Sequence, residues 1–191
     1  MATRRPKHAG RDRSQEAELK FRLAGAAEQA RLRRRLREIG AVNEGSYDEE
    51  NFRFAVPAKS RVSLRLRILD GGKSGIITSK GPATFSNGIK VREETEVEVA
   101  DASTARDLLE SLGYAVEFVF HKQRASWRMG TVSTTLDTLD FGFFIELEGP
   151  PAELPEAART LGLNPKQAIR QSYSAMARDY LRETKKLAAR S

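Results

Sequence analysis

The chain has 191 residues, enough to bury the core of one domain, with 39% of them hydrophobic and 31% charged. It contains no cysteine and only two histidines, His8 and His121, which excludes disulfides, thiolate chemistry and a histidine-based zinc cluster. Any metal would have to be a hard cation on carboxylates, magnesium or manganese, and the net charge of +7 suggests an anionic partner. No apolar run approaches the roughly 20 residues of a membrane span and no apolar signal core opens the chain, so a soluble, cytoplasmic protein is expected.

Residues 1–13, including "RRPKHAGRDR", read as a disordered basic tail. In "EAELKFRL", Glu16, Glu18, Lys20 and Arg22 alternate with Ala17, Leu19, Phe21 and Leu23, which predicts a strand with one charged and one apolar face. "GAAEQARLRRRLREIG" predicts a helix stopping at Gly40, and its run "RLRRRLR", residues 31–37, reads as a solvated face. Two strands follow, "YDEENFRF" and "RVSLRLRIL", separated by a loop containing Pro57. Gly71, Gly72 and Gly75 then turn the chain into "IITSK". "GPATFSNG" reads as a loop and "KVREETEVEV" as a strand. A short helix comes next, capped by Asp101 or Ser103, with Leu108, Leu109 and Leu112 on its apolar side and Gly113 as its stop. Three more strands are predicted around 117–129, 131–137 and 142–148, after which "GPPAELP" breaks the pattern. The last segment reads as one helix capped by Asn164, with Pro165 at its first position and Ile169, Tyr173, Met176 and Tyr180 as a packing stripe. The total is about eight strands and three or four helices, α+β and mainly β, in one antiparallel sheet with helices over its apolar face.

The charged alternation recurs on nearly every strand. Arg65 and Arg67 share a face, as do Arg92, Glu94, Glu96 and Glu98, then Lys122 and Arg124, then Glu146 and Glu148, while Lys80 and Asp137 end their strands. A wet outer face would mix Thr, Ser, Gln and Lys; these faces are dominated by Glu and Arg. The acids come in pairs two residues apart, an arrangement that gains sense if a cation lies between them. The paired arginines suit phosphate through their planar forks. Closing the sheet would turn these faces into a shared interior, and roughly eight strands suffice for a barrel around a small ligand. Lys20, Arg65, Arg67, Lys80, Lys122 and Arg124 set six positive charges against the seven of Glu16, Glu18, Glu94, Glu96, Asp137, Glu146 and Glu148. Two divalent cations would move that interior from about −1 to about +3, a match for a triphosphate.

In this order, Glu16-x-Glu18-x-Lys20, "LRLR", "TSKGP", "REETE", "KQR", "LD", "FIELEG" and the late "SYSAM" resemble the CYTH domain, the family of triphosphate tunnel metalloenzymes, over residues 14–181. Residues 182–191 read as a helix end or tail. The resemblance implies a closed eight-stranded antiparallel tunnel with helices packed outside, binding a triphosphate compound with magnesium or manganese, two ions per site. It implies phosphate binding by Lys20, Arg65, Arg67, Lys80, Lys122 and Arg124, and metal binding by Glu16, Glu18, Glu94, Glu96, Asp137, Glu146 and Glu148. Glu16, Glu18, Lys20 and Asp137 are the expected catalytic set. The expected activity is hydrolysis of inorganic tripolyphosphate, thiamine triphosphate or a nucleoside triphosphate. The alternatives are a class IV adenylyl cyclase, forming cyclic AMP and pyrophosphate, and a non-catalytic binder of polyphosphate or nucleotide. The implied partner is a triphosphate-containing small molecule or at most an RNA 5′-triphosphate end, with no membrane, on a monomer or homodimer. Two departures stand out. His8 is followed by Ala9, where the cyclases carry a His-Phe pair just before the first glutamate, and "DFGFF" precedes Glu146, which leaves Asp137 and Asp140 both open for the aspartate position.

Overall fold

The computed structural model describes residues 14–57 and 59–188. The expected basic tail, residues 1–13, lies outside the described residues, as do 189–191. The strands are β1 (Ser14–Leu23), β2 (Val42–Phe54), β3 (Ser63–Leu69), β4 (Gly75–Lys80), β5 (Thr84–Ser86), β6 (Ile89–Val99), β7 (Val116–Met129), β8 (Val132–Leu139) and β9 (Gly142–Glu148). The helices are α1 (Ala26–Glu38), α2 (Ala102–Ser111), α3 (Leu154–Thr160) and α4 (Tyr173–Ala188).

All pairings are antiparallel. The order runs β1-β9-β8-β7-β2-β3-β4-β6, and β1 pairs with β6 to close eight strands into a barrel. The ninth strand, β5, pairs only with β6, within a segment expected to be loop. Closure removes the open edges and leaves two environments, an outer wall and an interior.

The outer wall is apolar and is covered by helices. Ala17, Leu19, Phe21 and Leu23 of β1 pack with Ile145 and Leu147 of β9 against Leu32 and Leu36 of α1 and Leu154 and Ala158 of α3. On the far side, Phe52, Phe54 and Leu66 pack with Ala102 and Leu109 of α2. Leu19, Leu32, Leu36, Phe54 and Leu66 are fully buried, so truncating one, such as Leu19→Ala, would cost roughly 2–5 kcal/mol. Asp101 caps α2, its side chain accepting from the Thr104 N–H. Leu108 and Leu112, expected on the buried side of that helix, are exposed, because Ala102 and Ala105 make the close approach to the barrel.

The C-terminal segment departs from the single helix expected. Asn164 caps only a 3-10 turn, Pro165–Gln167, and the chain then runs extended to α4. The break lets the Ile169 N–H donate to the Lys20 carbonyl of β1. It also delivers Tyr173, Met176 and Ala177 onto Phe120, Leu139 and Phe144 at one end of the barrel. Arg22 joins this closure, stacking over the Phe144 ring at 4.7 Å and donating to the Phe141 carbonyl at 2.9 Å. Gly142, at φ 136°, turns β8 into β9 beneath it, and a β-carbon there would lie 2.9 Å from the Arg22 guanidinium.

Candidate functional site

Strand alternation turns the charged faces inward. Arg124 of β7 lies opposite Asp137 of β8, Lys20 of β1 opposite Glu146 of β9, and Lys122 of β7 opposite Glu49 of β2. Glu49 organises one wall. Its fully buried carboxylate lies 3.0 Å from Lys122 Nζ, 3.4 Å from Arg67 Nη1 and 3.9 Å from Arg124 Nε. Burial alone would raise its pKa, but the charges of Lys122, Arg124 and Arg67 outweigh that and hold it well below the usual carboxylate range. Burial, then the neighbouring Arg124, pushes Lys122 down to about 8.

Asp137, with no solvent exposure, binds Arg124 through both oxygens at 2.7 and 2.6 Å and accepts from the Tyr173 hydroxyl at 2.8 Å. Of the two aspartates left open by spacing, Asp137 faces the interior, whereas Asp140 is exposed at the β8–β9 turn. Glu146 bridges Lys20 at 3.0 Å and Arg124 at 2.6 Å. Lys20 also lies 4.1 Å from the centre of the Tyr173 ring and donates to the Gln171 carbonyl. On β3 and β4, Arg65 and Arg67 approach Glu96 at 3.8 and 3.6 Å, and Thr78 donates to that carboxylate at 2.7 Å.

The remaining acids gather where β1, β6 and β9 meet. Glu16 lies opposite Arg92 in the ladder and 3.3 Å from its Nε, with Lys80 at 3.4 Å. Glu94 pairs with Arg92 at 3.1 Å and with Lys80. Glu18 lies between Glu148 on β9 and Lys90 on β6, with Lys90 Nζ at 2.8 Å. Glu94 is pushed up to about 7 by lost hydration and by a hydrogen bond shared with Glu16. Glu148 is pushed up to about 8 by lost hydration first and then by the charge of Glu16. Glu16 is held low, because Lys80 and Arg92 outweigh the cost of its burial.

The interior therefore brings together all the acids and bases expected from the sequence, together with Glu49, Lys90, Arg92 and Tyr173, which were not assigned to a site. Lys90 and Arg92 join the six expected bases, and Glu49 joins the seven expected acids. Signals existed for three of the four. Glu49 is in phase with Asn51 and Arg53, and Lys90 and Arg92 are in phase with Glu94 and Glu96. Tyr173 had none, since helical spacing gave it only a packing role.

The donor set suits a hard cation. Glu16 and Glu94 share Lys80 and Arg92, their charges bear on each other and on Glu148, and a divalent ion would relieve that repulsion. Among the described residues no three acidic or imidazole side chains converge on one point. An ion here would take one or two carboxylates and complete its shell with water and phosphate oxygens, as magnesium does.

The fold is a closed antiparallel barrel with an internally ion-paired interior, and the particular family follows from comparison. The chain belongs to the CYTH domain family, which matches residues 14–173. A Methanocaldococcus jannaschii protein that carries the name of a candidate adenylate cyclase is 28% identical over 119 residues, covering 56% of this chain and 67% of that protein. The solved structure of a Pyrococcus horikoshii protein superposes with a TM-score of 0.70 at 26% identity, over 83% of this chain and 96% of its own. A Hippeastrum protein described as a candidate adenylyl cyclase with a dominant triphosphatase activity superposes with a TM-score of 0.67 at 19% identity. It covers 86% of this chain and 95% of its own, a likeness of fold. Among the described residues no helix is long and apolar enough to cross a membrane.

Proposed function

We propose that this protein hydrolyses a triphosphate compound inside the barrel with magnesium or manganese, the substrate being inorganic tripolyphosphate, thiamine triphosphate or a nucleoside triphosphate. The observation that carries the reading is the division of the interior. On one side Arg67, Lys122 and Arg124 are held in place by the buried acids Glu49, Asp137 and Glu146, and Arg65 by Glu96 and Thr78. On the other, Glu16 and Glu94 share Lys80 and Arg92, and Glu148 beside them has no basic partner among the described ion pairs.

Because their acids restrain them before substrate arrives, the guanidinium forks and Lys122 bind phosphate oxygens with little reorganisation. Tyr173 and Asp137 position Lys20 and Arg124 without touching substrate. Lys80, shared between Glu16 and Glu94, neutralises the phosphate nearest the carboxylates. A bound divalent ion supplies Lewis acidity and lowers the pKa of its water. Membership of the CYTH family and the triphosphatase activity described for the Hippeastrum neighbour support the reading.

A second reading, conversion of ATP to cyclic AMP and pyrophosphate, draws on the name of the archaeal relative. The experiment is incubation of the full chain with tripolyphosphate, thiamine triphosphate and ATP, each with magnesium or manganese, and phosphorus NMR of the products. Orthophosphate released from tripolyphosphate, and lost in EDTA, is expected. Cyclic AMP as the dominant product with tripolyphosphate untouched would install the cyclase reading. Metal-independent binding without turnover would make the protein a binder.

A further inference from the structure

We infer that Lys90 stands in for a second cation, so that the barrel takes up one divalent ion with its triphosphate rather than two. The inference rests on the proposed triphosphate reading. Its basis is a row of side chains across three adjacent strands. Glu148 of β9, Glu18 of β1 and Lys90 of β6 lie directly opposite one another in register. Lys90 Nζ is 2.8 Å from Glu18 Oε1, and Lys20 Nζ is 3.8 Å from the same oxygen.

Lys90 is 6% exposed, and Glu18 is its one acidic partner among the described ion pairs. A divalent ion that took Glu18 as a ligand would have to expel this ammonium and leave it buried without an anion, which is strongly unfavourable. The neighbouring position differs. There, among the described ion pairs, Glu16 and Glu94 share Lys80 and Arg92 while Glu148 beside them has no basic partner, an excess of one acid over the bases. An incoming ion is welcome there without orphaning a base. Lys90 thus supplies, as a tethered charge, what a second ion would otherwise bring to Glu18.

The test counts manganese bound to the full chain by electron paramagnetic resonance and titration calorimetry, with a methylene-bridged, non-hydrolysable tripolyphosphate present. One ion per wild-type chain is expected, and two for Lys90→Met, which keeps the volume and removes the charge. Two ions on the wild type, or one still on a folded Lys90→Met, overturns the inference and leaves the triphosphate reading standing. No manganese on the wild type overturns both. Should Lys90→Met fail to fold, Glu18→Gln decides. Manganese affinity unchanged in that variant supports the inference, and a loss of about tenfold or more makes Glu18 a ligand and overturns it.

Discussion

Replacing Glu49 with glutamine removes one charge and almost no volume from a fully buried point of the interior. The carboxylate has no exposed side-chain surface and faces Lys122, Arg67 and Arg124 at 3.0, 3.4 and 3.9 Å. Breaking a buried ion pair from one side costs about 3–5 kcal/mol, because the stranded partner remains charged and unsolvated. Here Asp137, Glu146 and Glu96 still compensate the three cations in part, which favours the lower end, about 3 kcal/mol. In a domain of this size that lowers the melting temperature by roughly 6–12 °C. The same change leaves a surplus positive charge facing the interior. Tripolyphosphate should therefore raise the melting temperature of Glu49→Gln by more than it raises that of the wild type, without added metal. Differential scanning calorimetry of both proteins, with and without tripolyphosphate, reads both effects. An unchanged melting temperature, or equal stabilisation of the two proteins by the anion, would refute the assignment of Glu49 as the organiser of the phosphate-binding wall.

In metal-free buffer, stability should fall as pH rises from about 4.5 to about 7. Buried Glu94 holds a proton in the folded state, up to about 7, that the unfolded chain has released by the ordinary value of 4.5, so folding is favoured at the acid end. Magnesium should flatten that slope, and chemical denaturation at several pH values checks both. Glu148→Gln removes an acid with no basic partner among the described ion pairs, so its metal-free melting temperature should hold or rise at pH 8 while metal-dependent phosphate release is lost. Glu16→Ala, by contrast, should destabilise, since it leaves Lys80 and Arg92 to share Glu94 alone; thermal melts separate the two. Tyr173→Phe deletes the hydroxyl on Asp137 and should cost about 1 kcal/mol, seen as a melting temperature a few degrees lower with the fold retained by circular dichroism.

The charged faces were readable from the sequence because alternation is a local property. Successive strand side chains point to opposite faces whatever the rest of the chain does, so Glu16, Glu18 and Lys20 had to share one side. The apolar residues between them required helices on the other. Loops and helix breaks were less certain, as β5 and the interrupted C-terminal helix show, since three paired residues or one hydrogen bond from Ile169 to β1 can override local preference. Which charges meet was decided only in three dimensions. Glu18 finds Lys90, 72 residues away, because β1 and β6 close the barrel in one register, and a shift of one residue would turn every such pair to the opposite face. Asp137 rather than Asp140 enters the interior because the turn begins between them. Tyr173 reaches Asp137 because the chain returns to cover the barrel's end. Residue type and spacing determine what each strand can present, but an ion pair depends on the distance between atoms far apart in the chain, and only closure of the sheet sets that distance.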